Sequence, residues 1–165
     1  CIPSNVGSVG GMAFYESSIQ SAIVEAQSVG RAAFACCPDL VHVSLGDDTI
    51  RVYDRAFRAD HSLVSVNLND VQEIWHDAFN DCDALERVTI PAAADFVSST
   101  AFWGCASLKE VAFEKTSDWF LCQRDENFDY VPVAAADLSD PAANVELLGG
   151  ELESYVYRRI SGYEI

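Results

Sequence analysis

The chain has 165 residues, of which 50% are hydrophobic and 22% are charged, a composition that fits one folded domain with a core of its own. Its 26 acidic residues against 10 basic ones give a formal net charge of −16, and a protein this acidic repels phosphate backbones and anionic lipid surfaces. We therefore expect no nucleic-acid partner. No apolar stretch approaches 18 residues, so we also expect no membrane insertion by this chain.

The first twelve residues fit the end of a repeating unit. Ile2-Pro3 precedes Ala13 by the same 11 residues that separate Ile90-Pro91 from Ala101. Residues 1–12 are therefore interpreted as a partial repeat. We favour a parent protein that is longer at this end over a degenerate first unit.

The dipeptide Ala-Phe then recurs at a nearly constant interval. Its alanines are residues 13, 33, 56, 78 and 101, which gives steps of 20, 23, 22 and 23 residues. In the last four units a leucine stands seven residues beyond the alanine and a valine stands ten beyond; these are Leu40, Leu63, Leu85 and Leu108, and Val43, Val66, Val88 and Val111. A fixed period of 20 to 50 residues is the signature of a stacked repeat architecture.

One unit contains a short strand and a return. In Val88-Thr89-Ile90 the apolar residues alternate with a polar one, which is the period of a strand. The Ala-Phe segment has room for one helical or 3₁₀ turn. A single unit cannot bury its apolar side alone, so successive units must stack. We predict a solenoid of about five rungs over residues 1–117, of the α/β horseshoe type, with short helical or 3₁₀ returns and with repeats that start near residues 13, 33, 56, 78 and 101.

The repeat pattern resembles a known family. The spacing Val-x-x-x-Ala-Phe-x-x-Cys-x-x-Leu-x-x-Val-x-Leu, found from Ile74 to Ile90 and from Val97 to Phe113, is similar to the BspA-like leucine-rich repeats of bacterial surface proteins and some protists. The resemblance covers residues 2–114. It implies a leucine-rich repeat solenoid that is not an enzyme and that recognises proteins, including adhesion to host or neighbouring-cell proteins. Trp119 and the run Tyr155–Arg159 also resemble the segment that closes many bacterial members.

This resemblance implies a location at the cell surface or in the secreted fraction, and a protein partner of unknown identity. The alternative is an intracellular or structural scaffold in the cytoplasm. The sequence leaves both open, because free thiols and the lack of an Asn-x-Ser/Thr sequon suit either a bacterial surface or a cytosolic setting.

Residues 118–165 depart from the repeat frame, because Arg124-Asp125 stands where a sixth Ala-Phe is due. Asp140-Pro141 places a cap residue and a first-turn proline before an apolar run that Gly149-Gly150 ends. We predict a short helix near residues 140–148 in a C-terminal cap, since the last rung of a solenoid exposes an open edge.

No pattern in the sequence favours a metal, a cofactor or a catalytic group. Cys37, Cys82 and Cys105 fall in one repeat column and are expected to be buried, reduced residues, whereas the histidines at 42, 61 and 76 occupy three different columns. The acidic run at residues 125–129 imitates a calcium loop, but Tyr130 stands where that loop needs glycine.

The candidate partner-binding residues are those that point outward from the strands: His42, Ser44, Ser65, Asn67, Arg87, Thr89 and Glu110. Their mixture of small polar and charged groups fits a recognition surface or a solvated face equally well. Five short strands give a face of roughly 300 Å², below the roughly 800 Å² per partner of a standard interface. A tight partner is therefore expected to contact loops as well.

Overall fold

The computed structural model describes residues 1–123, 130–133, 138–149 and 155–159. Its elements in chain order are β1 (Ser21–Val24), β2 (Ser28–Val29), β3 (His42–Leu45), β4 (Arg51–Val52), β5 (Ser65–Asn67), β6 (Glu73–Ile74), β7 (Arg87–Ile90), β8 (Phe96–Ser98), β9 (Glu110–Phe113), β10 (Trp119–Gln123), β11 (Tyr130–Val133), α1 (Asn144–Gly149) and β12 (Tyr155–Arg159).

These strands wind into a solenoid of about four turns with two parallel faces. The front face contains the sheets β1-β3-β5 and β7-β9, and the back face contains β2, β4, β6 and β8 in one continuous sheet. Equivalent residues of successive units lie side by side, as Val43 does with Val66 and Val88 with Val111. The predicted solenoid is confirmed, whereas the expected count of five rungs is only roughly matched by its about four turns.

Each unit contains a second strand that the sequence analysis did not predict. It is the column of Val29, Val52, Ile74 and Val97, four residues before each Ala-Phe, and it forms the back sheet. Three of these strands have only two residues each, too few for an alternating pattern to be recognised in the sequence. The apolar residue of each pair is buried.

The returns differ from the predicted helical or 3₁₀ turns. Within residues 1–123 the Ala-Phe segments form consecutive tight turns, such as Ala13 N to Gly10 O and Tyr15 N to Met12 O. A residue with positive φ interrupts them before the alanine and again three residues after it, which prevents a continuous helix. Those with φ between 52° and 61° are Met12, Glu16, Ala32, Cys36, Arg55, Ala59, Asp77 and Asp81.

The core is a stack of identical columns. Phe14, Phe34, Phe57, Phe79 and Phe102 form a ladder of parallel rings, with centroids 4.9 to 5.3 Å apart and interplanar angles of 5° to 6°. Leu40, Leu63 and Leu85 are fully buried beside them. A residue truncated in one rung therefore leaves a void against both neighbouring rungs.

Described residues of the C-terminal segment make hydrogen bonds to the last rung of this stack. Where the sequence predicted a helix, α1 spans Asn144–Gly149, and Oδ1 of Asp140 accepts a hydrogen bond from Ala142 N just before it. Phe102 N donates to Leu148 O, so this segment supplies the acceptor that a further rung would have provided. Strand β12 pairs antiparallel with β8 and with β10.

Candidate functional site

The front face presents two columns of outward side chains. The packing of the buried residues between them fixes the distance from one rung to the next. The first column contains Ser21, His42, Ser65, Arg87 and Glu110, and the second contains Ile23, Ser44, Asn67, Thr89 and Ala112. Between them lie inward residues, of which Val43, Val88 and Val111 are buried. All seven candidate residues predicted from the sequence therefore lie on this one face.

Neighbouring rungs are linked by polar side-chain pairs on this face. His42 Nδ1 lies 2.8 Å from Ser65 Oγ, and Arg87 Nε donates to Glu110 Oε2 at 2.8 Å. Both members of the Arg87–Glu110 pair are exposed. Such an exposed pair contributes at most about 1 kcal/mol to stability. The ion pair can therefore break at little cost, and each side chain can then bind a group of a partner.

Two residues of the face are not among those predicted from the sequence. Ser21 and Ile23 are outward residues of β1, and Ile23 keeps 51% of its surface exposed. The first full unit is shorter than the others, which obscured its outward positions, although the spacing of Ile19, Ala22 and Val24 places them by the same frame.

The front sheet is broken between β5 and β7. β5 is the last strand of one sheet and β7 the first of the next, whereas the back sheet continues through β6 to β8 at the same level. Val66 of β5 is partly exposed, although its counterparts in β3 and β7 are buried. At the break between β5 and β7, an inward residue of the front face is therefore partly exposed to solvent.

Pro91 accounts for one side of this break. At the position after each front strand a donor normally reaches back to the preceding rung: Gly46 N to Val24 O at 2.7 Å, Asn69 Nδ2 to Leu45 O at 2.6 Å and Glu114 N to Ile90 O at 3.0 Å. Pro91 occupies this position after β7 and has no N–H to donate. The carbonyl of Leu68 bonds instead to Val71 N in its own loop.

Two adjoining depressions follow from this geometry. One, of about 270 Å³, lies at the break and is lined by Val66, Asn67, Leu68, Asn69, Arg87, Val88, Thr89, Pro91 and Glu114. The other, of about 400 Å³, lies over β1, β3 and β5 and shares Val66 and Asn67 with the first. The front face thus carries two shallow depressions that adjoin at β5 and that are lined by both polar and apolar residues.

The cysteine column lies in the interior and is unrelated to this face. The thiols of Cys37, Cys82 and Cys105 each donate to the carbonyl of a phenylalanine in the preceding rung, at 3.1 Å. All three are free thiols, as predicted. Cys37 and Cys82 are buried, but Cys105 is partly exposed, contrary to the prediction, because it lies in the last rung of the solenoid.

The described residues contain no cluster of three or more His, Cys, Asp or Glu side chains able to hold a metal ion. The three histidines lie apart: His42 is on the front face, His61 pairs with Asp83 in a loop, and His76 lies 2.8 Å from Ser98 Oγ. The sequence predicts that residues 125–136 do not form a calcium-binding loop. Most of these residues lie outside the described residues.

The recurring rungs match a family model for the BspA-type leucine-rich repeat region, with six copies over residues 1–109. The chain belongs to the BspA-type leucine-rich repeat family. The resemblance drawn from the Ala-Phe columns is thereby confirmed. This repeat fold is generally used for protein binding, and its members are generally noncatalytic. Comparison with curated protein sequences gives no match.

Solved structures of similar fold come from bacteria. A leucine-rich cell surface protein from Faecalibacterium prausnitzii is 26% identical with a TM-score of 0.65 over 69% of this chain and 31% of that one. A Treponema pallidum leucine-rich repeat protein is 28% identical with a TM-score of 0.62 over 64% of this chain and 51% of that one. A Bacteroides ovatus leucine-rich repeat protein, 22% identical with a TM-score of 0.54 over 68% and 36%, shares the fold.

The chain spans 31% of the length of the first of these proteins and 51% of the length of the second. Within the described ranges, no helix has both the length and the apolar character needed to cross a membrane.

Proposed function

We propose that the chain is a noncatalytic protein-binding module of a bacterial surface or secreted protein, and that its front face is the recognition surface. The observation that carries the proposal is the arrangement of that face. A rigid stack of rungs holds two columns of exposed side chains in register, and the described residues of other elements leave this face uncovered. A site on regular, packed elements is held more accurately than one on loops.

The surface location is proposed from the family and from the F. prausnitzii relative, which is a cell surface protein. The noncatalytic assignment is proposed from the same family and from the site. The two depressions of the face, about 270 and about 400 Å³, are shallow and open, whereas a small-molecule site buries most of its ligand. They are suited to side chains of a partner rather than to enclosure of a substrate.

A matched pair of serine substitutions tests the proposal. Ser65 is exposed on the front face, and Ser8 is exposed at the edge of the back face. Ser65→Tyr places a bulky neutral group on the recognition surface without choosing a charge for the partner. Ser8→Tyr places the same group on the other side of the solenoid.

The measurement is the affinity of each variant for a protein captured by the wild-type chain from its native environment, with circular dichroism as a check on folding. We expect Ser65→Tyr to weaken the complex at least tenfold, about 1.4 kcal/mol, and Ser8→Tyr to leave it within twofold. Equal effects of both variants, or a loss with Ser8→Tyr alone, would place recognition elsewhere on the solenoid.

A further inference from the structure

The junction between β5 and β7 differs from the other front-face junctions in its backbone hydrogen bonds. At the start of the front strands, Val41 N donates to Gln20 O at 2.8 Å, Val64 N to Val41 O at 2.9 Å and Lys109 N to Glu86 O at 2.9 Å. No strand pairing joins β5 to β7, and outside the strands no backbone hydrogen bond among the described residues joins residues 64–69 to residues 86–91. The N–H of Glu86 and the carbonyl of Val64 therefore lack the ladder partners found at the neighbouring junctions. Backbone groups in this state require hydrogen bonds from water or from a bound chain.

The cleft at this junction has a defined chemical character. Its floor is apolar, formed by Val66 and Val88, and Asn67 and Thr89 flank it. Glu114 lies at its end, and one oxygen of that carboxylate accepts a hydrogen bond from Ala92 N at 2.9 Å. The basic group in the lining is Arg87, whose guanidinium Nε already donates to Glu110. The cleft therefore offers acceptors and a negative charge to an incoming group.

The loops that border the cleft extend this negative charge. The loops that follow the front strands contain Glu25, Asp47, Asp48, Asp70, Asp95 and Glu114. They contain one basic residue, Lys115, which pairs with Asp118 at 3.2 Å. We call this row of loops the acidic rim. Because the front face alone provides roughly 300 Å², less than half of a standard interface per partner, a partner bound there needs contacts with loops as well. The acidic rim is the row of loops that the cleft adjoins, through Leu68, Asn69, Pro91 and Glu114.

We infer that the cleft between β5 and β7, together with the acidic rim, binds an extended segment of a partner protein that carries basic side chains. This inference rests on the proposed function of the front face and adds the chemistry of the partner. The lining of the cleft begins at Val66 and Arg87, so an extended backbone that continues past this end supplies the hydrogen bonds that Val64 O and Glu86 N lack. A lysine or arginine side chain lies over Val66 and Val88 and places its charge near Glu114, as long cationic side chains pack their aliphatic stems on apolar surface.

The test uses two synthetic peptides and the full chain. The basic probe is a fluorescein-labelled (Thr-Lys)₅ peptide, and its acidic counterpart is (Thr-Glu)₅. The two peptides have the same length and the same alternation with threonine, and they carry opposite charges. Binding is measured by fluorescence anisotropy at 0.15 M salt, where charges more than about 8 Å apart are largely screened.

Two matched double variants separate a local site from the attraction of the whole acidic protein. Asp70→Lys with Glu114→Lys changes two exposed acids at the rim beside the cleft, and Glu16→Lys with Asp39→Lys changes two exposed acids elsewhere on the solenoid. The change in net charge is the same. We expect the dissociation constant of the basic peptide to rise at least tenfold for the rim pair and at most twofold for the other pair.

Equal losses for the two pairs, preference for the acidic peptide, or no binding of either peptide would overturn the inference. A third variant, Asn67→Tyr, fills the cleft without a change in charge. It should also weaken the basic peptide at least tenfold, and unchanged binding would place the peptide outside the cleft. If the peptide results fail but Ser65→Tyr still blocks the native partner, the front face binds a partner of other chemistry, and the proposed function stands.

Discussion

The backbone N–H of Cys37 donates a hydrogen bond to Oδ1 of Asp60 in the next rung, at 2.7 Å. Asp60 occupies the column that holds cysteine in the second, fourth and fifth units, and its side chain is fully buried. Its other oxygen, Oδ2, has no hydrogen-bond partner. Burial raises the pKa of Asp60 to about 8, although the Cys37 hydrogen bond acts in the opposite direction.

Asp60 makes the stability of the solenoid depend on pH. The carboxyl is protonated in the folded chain up to pH of about 8 but ionises near pH 3.9 when unfolded. Its contribution is therefore fully present below about pH 4 and is lost as the pH rises toward 8, with a slope of up to about 1.4 kcal/mol per pH unit. Asp60→Asn removes this titration while it keeps the shape and the acceptor for Cys37.

We expect the free energy of unfolding of Asp60→Asn, measured with urea, to exceed that of the wild type at pH 8 and to approach it at pH 4. Groups that titrate in both proteins cancel in this difference. A difference that stays constant from pH 4 to 8 would mean that Asp60 is ionised in the folded chain.

The stacked columns predict where truncation destabilises the fold. Phe79 and Leu85 are fully buried between rungs, so Phe79→Ala should cost about 3 to 5 kcal/mol and Leu85→Ala about 2 to 5 kcal/mol. Thr89→Ala on the exposed front face should change stability by no more than about 0.5 kcal/mol. Urea unfolding followed by circular dichroism measures all three. Similar losses for Thr89 and Leu85 would contradict the assignment of inward and outward positions.

Two residues with left-handed backbone conformation, Ala59 and Gly104, occupy the same repeat position in the returns. Substitutions at these two residues should change stability in opposite directions. Ala59 has φ of 59° and Gly104 has φ of 76°. Ala59→Gly should stabilise the chain by about 0.5 to 1 kcal/mol, because the left-handed conformation costs alanine about 1 to 2 kcal/mol and glycine loses part of that gain in entropy.

Gly104→Ala should destabilise the chain by at least about 1 kcal/mol, since a Cβ there adds the left-handed strain and would also collide with Oδ1 of Asp81. Thermal unfolding of the two variants measures both signs. A stabilised Gly104→Ala would show that the return has another conformation.

The thiols should differ in reactivity according to their rung. Burial raises the pKa of both Cys37 and Cys82, and the thiolate is the reactive form. Under native conditions iodoacetamide should therefore modify exposed Cys1 first and Cys82 last, with the partly exposed Cys105 between them. Mass spectrometry at successive times gives the order. Early labelling of Cys82, or a disulfide that includes Cys37, would contradict the buried column.

Much of the fold could be predicted because a repeat multiplies each local signal. One Leu-x-x-Val-x-Leu segment is ambiguous, but four in register identify the front strands and their outward residues. The back strands were missed since a two-residue strand such as Arg51–Val52 has no period. The left-handed returns were missed because glycine is the residue that usually indicates a left-handed conformation. Alanine, arginine and aspartate occupy these positions here.

The break in the front sheet could have been predicted from one residue. Pro91 occupies a position at which the other rungs have a donor, and a proline after a strand predicts a missing ladder bond. The exposure of Val66 could not have been predicted, since valine fits a buried position of this column equally well. The seven outward residues predicted from the sequence lie on one face, but their role in binding stays a prediction.

Site-specific photocrosslinking tests most directly whether the front face is the recognition surface. Benzoylphenylalanine replaces exposed Ile23 on the front face in one variant and exposed Arg58 in a return in another, and each is irradiated with the protein captured by the wild-type chain. We predict a covalent complex from position 23 and none from position 58. A crosslink from position 58 with none from position 23 would contradict the proposed role of the front face.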